Sequence, residues 1–133
     1  MNRPILVDVA PFRGVTSSAV SAIVVVTTAG TQEEANLLAE ELVARRHSCC
    51  VNILPIQRSV YRWQGKICDD SEYMLIIKTL ESEYEAVEGA IKELHSYDLP
   101  EILAFNIHRG EGGFLTWITT CLNKGADDLE DEA

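Results

Sequence analysis

Ile23-Val24-Val25-Val26-Thr27-Thr28 is an unbroken, largely β-branched run. It predicts a strand buried on both faces and central in its sheet. Ala29-Gly30 breaks the run, and Thr31 followed by Glu34 has the spacing of a capping box that starts a helix. Ala35, Leu38, Ala39 and Leu42 then recur at helical spacing, with Arg45, Arg46 and His47 suited to the negative C-terminal end. Cys49 to Ile56 predicts a second strand, with Pro55 marking a bend or an edge. Tyr73 to Thr79 predicts a third. Ser82 followed by Glu85 is a second capping box, opening a helix with Tyr84, Val87, Ile91 and Leu94 on one face. Pro100 ends that stretch and biases Leu99 to extended geometry. Ile102 to Ile107 predicts a fourth strand. Gly110, Gly112 and Gly113 read as a flexible link to a short amphipathic helix carrying Phe114, Leu115, Ile118, Cys121 and Leu122.

Between strands two and three lies Ser59 to Glu72, the most unusual stretch of the chain. Gln64-Gly65 is its turn signal, because glycine takes positive φ at low cost. Tyr61 and Trp63 share one side of the pleat, and Val60 and Arg62 share the other. A hairpin tip this aromatic and charged is expected to pack on another chain.

The order is β-α-β-β-α-β with an added C-terminal helix. It predicts an α+β, ferredoxin-like fold, a four-stranded antiparallel sheet with helices on one face. The other face is then uncovered, and subunit association is the economical way to bury it. The domain is expected over residues 22–124, preceded by a loose arm at 1–21 and followed by an acidic, disordered tail at 125–133.

Composition narrows the function. The chain has 133 residues and a formal net charge of -10, from 21 acids against 11 bases. This argues against a nucleic-acid or anionic-membrane binder, since both need a positive face. No stretch approaches the roughly 20 apolar residues of a membrane span. Cys49, Cys50, Cys68 and Cys121 form no C-x-x-C pair, which fits small buried residues in a reducing, cytoplasmic compartment.

Three stretches have the residue types of a site. His95 and Glu101 flank a helix end and are of metal-ligand type, although the spacing alone better suits a helix-capping histidine and a solvated acid. Asp69, Asp70 and Glu72 could hold a hard cation or simply form a solvated strand start. Gly110-Glu111-Gly112-Gly113 precedes a helix, but Glu111 would repel a phosphate and a hinge is the better reading. No nucleophile motif or acid–base constellation occurs, so a non-enzymatic protein is expected. Tyr61, Trp63, Tyr97 and Trp117 are read as packing anchors rather than ligand stackers.

Val60-Tyr61-Arg62-Trp63-Gln64-Gly65-Lys66-Ile67, then Glu72 and Ile77-Lys78-Thr79, then His95-Ser96-Tyr97-Asp98-Leu99-Pro100-Glu101-Ile102, and last Phe114-Leu115-Thr116-Trp117-Ile118 together carry a resemblance. With Thr28-Ala29 and Glu34-Ala35, the chain resembles the CutA divalent-cation tolerance family from about Ile23 to Leu122. The resemblance implies a ferredoxin-like subunit in a compact homotrimer of PII-like architecture, with hairpins reaching across neighbours. It implies a link to copper and other divalent cations. His95 matches the family's histidine motif, with Glu101 the acid beside it, and Thr27 stands at the family's cysteine position, where it is a poor soft-metal ligand. A cleft or interface is implied around Tyr61, Trp63, Lys66, Tyr97 and Trp117. The PII likeness keeps a second reading open, a scaffold or small-ligand sensor acting through a protein partner.

Overall fold

A computed structural model describes residues 21–123. The elements are β1 (Ala22–Ala29), α1 (Gln32–Ala44), β2 (Cys50–Trp63), β3 (Lys66–Leu80), α2 (Tyr84–Leu94), β4 (Ile102–Asn106) and α3 (Gly112–Leu122). The strands form one sheet in the order β2-β3-β1-β4, with every neighbouring pair antiparallel. This is the ferredoxin-like arrangement expected from the element order. Apart from Ser21, the expected N-terminal arm lies outside the described residues, as does the acidic tail. Among the described residues, no helix is long and apolar enough to cross a membrane.

Alternation along each strand divides the sheet into two faces. Ile23, Val25, Leu75 and Ile77 face α1 and α2, where they meet Ala35, Leu38, Leu42, Val87 and Ile91 in one buried core. The second face carries Val24 opposite Phe105, Val26 opposite Leu103, and Leu54 opposite Met74. It is open over much of its area: Leu103 is 50% and Phe105 55% exposed. α3 covers one end of it, where Ile118 and Leu122 pack with Ala22 and Cys49 against Leu80.

Several local expectations change in the folded chain. The hairpin is not separate from the strands expected at Cys49 to Ile56 and Tyr73 to Thr79. It is the continuation of β2 and β3 themselves, 14 and 15 residues long, so Asp69, Asp70 and Ser71 lie in a strand. β2 is an edge strand, which accommodates Pro55. Gln64 and Gly65 both have positive φ, 52° and 80°, as a two-residue hairpin turn of the primed type requires. Thr31 caps α1 by accepting from the Glu34 amide at 3.1 Å. The second capping box does not form. Ser82 sits in a short 3₁₀ turn (Glu81–Glu83), and α2 begins after Glu83 without a side-chain cap. Arg46 lies beyond α1 at φ 62° and donates to the Cys121 carbonyl of α3 at 2.8 Å. Gly112 and Gly113 open α3 rather than link to it, because Glu111 caps it by accepting from the Phe114 amide at 2.8 Å.

Candidate functional site

The second face ends in a cleft between the hairpin and the loop after α2. Its position depends on a bulge in β2. Ile56 pairs with Glu72 and Ser59 with Asp70, so β2 advances three residues while β3 advances two. The extra residue exchanges the faces of the pleat beyond it. Ser59, Tyr61 and Trp63 therefore join the face that carries Leu54, Met74 and Glu72. Without the bulge, Val60 and Arg62 would take those places.

The other wall is the segment His95–Glu101. His95 is the first residue after α2, and its amide still bonds the Ile91 carbonyl at 2.9 Å. Its side chain is buried beneath the cleft rather than lining it. Nε2 lies 2.6 Å from the Thr28 carbonyl, which can only accept, so the proton is on Nε2. Nδ1 accepts from the Tyr97 amide at 3.0 Å. Both ring nitrogens are thus engaged within the chain, and a cation could reach either only by displacing one of these bonds. Glu34, from α1, holds the next residue by accepting from the Ser96 amide at 2.6 Å and from its hydroxyl at 3.1 Å. These contacts fix the loop on the end of β1.

Tyr97 then turns over the end of β1 and donates its hydroxyl to Glu72 Oε2 at 2.7 Å. Gly30 makes room for it: a Cβ there would stand 3.0 Å from that hydroxyl. The Tyr97 phenol is held protonated well above its ordinary range, first by burial and then by the bond to Glu72. Tyr61 donates to Asp70 on the same face, and this bond is the largest cause pushing its phenol up to about 12. Asp69, on the opposite face of the strand, pairs with Arg58 at 2.8 Å. The three acids of that stretch therefore do not converge.

The cleft so formed has a volume of about 590 Å³ and is lined by Thr28, Ser59, Val60, Tyr61, Trp63, Glu72, Tyr97, Asp98, Leu99 and Glu101. Tyr61, Trp63, Tyr97 and Glu101 come together in this lining. Lys66 faces Trp63 across the hairpin ladder, and Trp117 packs on Phe114 in α3 with ring centres 5.5 Å apart. Neither lines the cleft. Thr27 is fully buried on the face packed against α1 and α2, and its hydroxyl has no hydrogen-bond partner among the described residues. Sequence reasoning gave Glu72 no role at the cleft because its partner Tyr97 is distant in the chain. Its place at the start of an apolar run was the available signal.

Glu72 is only 9% exposed, and among the described residues no cation pairs with it. Asp98 and Glu101 add two further carboxylates to the walls. Among the described residues no three His, Cys, Asp or Glu side chains converge as a preformed metal site. The arrangement can attract a cation, orient it with oxygen acceptors and enclose it with aromatic rings.

An α+β ferredoxin-like chain with a long aromatic hairpin and an acidic cleft at the sheet end defines a narrow class. Residues 23–121 match the family model described as CutA1 divalent ion tolerance protein. The chain belongs to the CutA family. It is 39% identical over 95 residues to the divalent-cation tolerance protein CutA of Thermus thermophilus, covering 71% of this chain and 92% of that one. It is 41% identical over 103 residues to the chloroplastic protein CutA 1 of Oryza sativa, covering 77% of this chain but spanning 58% of the rice protein's length. The solved structure of the periplasmic divalent cation tolerance protein CutA from Archaeoglobus fulgidus superimposes with a TM-score of 0.75 at 36% identity, over 77% of this chain and 99% of that one.

Proposed function

We propose that the chain assembles as a homotrimer and takes up divalent cations, copper among them, at the cleft between the hairpin and the His95–Glu101 loop, without catalysing a reaction. The observation that carries this reading is Glu72, buried at the cleft with no cationic partner among the described residues. Burying an ionised carboxylate is costly, and a bound cation offsets that cost. Glu101 and Asp98 supply further oxygen donors, which suit Cu²⁺ and harder divalent ions better than Cu⁺. In this reading His95 is a positioning residue that holds Tyr97 and the end of β1, and Glu101 is a ligand. Assembly is supported by the open second face and by the exposed hairpin residues Trp63 and Ile67, 44% and 71% exposed. The four cysteines are free thiols, which suits a cytoplasmic setting.

Calorimetry with Cu²⁺, Zn²⁺ and Cd²⁺ tests the proposal. Saturable binding that weakens in Glu72→Gln and Glu101→Gln is expected. Absence of saturable binding, or binding unchanged in both variants, would overturn it. Nitrogen hyperfine coupling in the Cu²⁺ resonance spectrum, lost in His95→Gln, would return His95 to the role of ligand. The sensor reading draws on a different observation: a cleft of about 590 Å³ with aromatic walls is far larger than a metal ion needs.

A further inference from the structure

We propose that the cleft is a receptor for an organic ammonium group, the protonated amine of a small molecule. The inference rests on the reading that this cleft takes cations, and it adds to the divalent ions a second chemistry of cation that the same geometry fits.

A divalent ion at this cleft completes its ligand set with water or with side chains that move onto it, because no three metal-ligating side chains among the described residues converge beforehand. An alkylammonium has different needs. It presents three N–H donors, carries one compact positive charge, and brings an apolar stem that must be covered. The cleft supplies each counterpart. Glu72 is nine-tenths buried, with the Tyr97 hydroxyl donating to Oε2 and no cation beside it among the described residues. Glu101 adds a second carboxylate to the wall, and Thr28, itself buried, also lines the cleft. Tyr61, Trp63 and Tyr97 are the aromatic part of the same lining.

The aromatic contribution is electrostatic as well as apolar. Rings of Trp and Tyr attract a cation through their negative faces, most strongly where water is reduced. The Tyr97 and Tyr61 hydroxyls both donate to carboxylates, Glu72 and Asp70. Such donation increases electron density on the ring and strengthens this attraction. A volume of about 590 Å³ lies within the range of small-molecule clefts, roughly 300–1,000 Å³. Among the described residues no Lys, Arg or His side chain lines it to compete with a ligand for Glu72.

The test is calorimetry and thermal shift on the full chain with 1,4-diaminobutane as probe, and with uncharged 1,4-butanediol and Cu²⁺ in parallel. The diamine is expected to bind saturably and raise Tm, and the diol to do neither. Glu72→Gln keeps the shape and removes the charge, and is expected to weaken diamine binding by about tenfold or more. Glu101→Gln, at an exposed position, serves should Glu72→Gln fail to fold, and is expected to weaken binding by at least about twofold. No saturable diamine binding, equal binding of the diol, or unchanged affinity in the folded variants would overturn the proposal. Binding seen only in Lys66→Ala would assign the ammonium to a second copy of the chain and overturn the free-amine reading. A protein that takes Cu²⁺ but not diamine leaves the cation reading standing and sinks this one. Failure of both sinks both.

Discussion

Tyr97 holds Glu72 across the end of β1, its hydroxyl 2.7 Å from Oε2, between residues 25 apart in the chain. The bond joins the two walls of the cleft, the hairpin strand β3 and the loop after α2. It also gives a nearly buried carboxylate its donor.

Tyr97→Phe keeps the ring and deletes that donor. A charged acceptor left without its bond costs about 1–3 kcal/mol. Urea unfolding of the variant is expected to show a loss in this range. A change within about 0.5 kcal/mol, the scatter of ordinary surface substitutions, would mean that water replaces the hydroxyl at no cost.

Alkaline titration follows from the tyrosines. Tyr61 is shifted from its ordinary 10.0 up to about 12, chiefly by its bond to Asp70. A raised phenol is protonated in the fold while the unfolded chain has already lost its proton. The stabilising contribution is therefore complete below pH 10 and is lost as pH rises towards 12. Ultraviolet phenolate absorbance is expected to show Tyr61 titrating near the top of this window in the folded protein, and closer to its ordinary value in Asp70→Asn. Titration of Tyr61 near 10 in the folded protein would remove the bond from the account.

The hairpin turn is tested by two substitutions of opposite sign. Gln64 at φ 52° and Gly65 at φ 80° occupy the left-handed region. Gln64→Asn is expected to stabilise the chain by a few tenths of a kcal/mol, because asparagine tolerates this conformation better. Gly65→Ala adds a Cβ with open space around it, so its cost is conformational alone, about 1 kcal/mol. Differential scanning calorimetry separates the two signs, and a stabilising Gly65→Ala would refute the turn geometry.

Trp63 tests the proposed assembly. It is 44% exposed at the end of β2, next to the turn. A tryptophan anchoring an interface typically contributes about 2 kcal/mol or more. Trp63→Ala is expected to shift the trimer to smaller species in sedimentation at low concentration, with little change in the far-ultraviolet dichroism. A fully trimeric variant would assign Trp63 to the cleft alone.

Periodicity along the chain was enough to establish the four strands, the three helices, their order and the turn at Gln64-Gly65, because each depends on neighbours a few residues away. The core stripe Ala35, Leu38 and Leu42 and the face Val87 and Ile91 were legible for the same reason. The site was legible only as residue types. Tyr61 and Trp63 visibly share a side, but which face of the sheet they occupy depends on one extra residue between Ile56 and Ser59, and no local pattern marks that bulge. His95 read as a possible ligand, yet both its nitrogens are taken by Thr28 and Tyr97, and the Thr28 bond spans 67 residues. Glu72 read as one of three neighbouring acids, until strand pairing turned Asp69 to Arg58 on the other face and the loop after α2 delivered Tyr97. Local preference is written in successive residues, whereas register, burial and the partner of a charge depend on long-range strand pairing and loop packing.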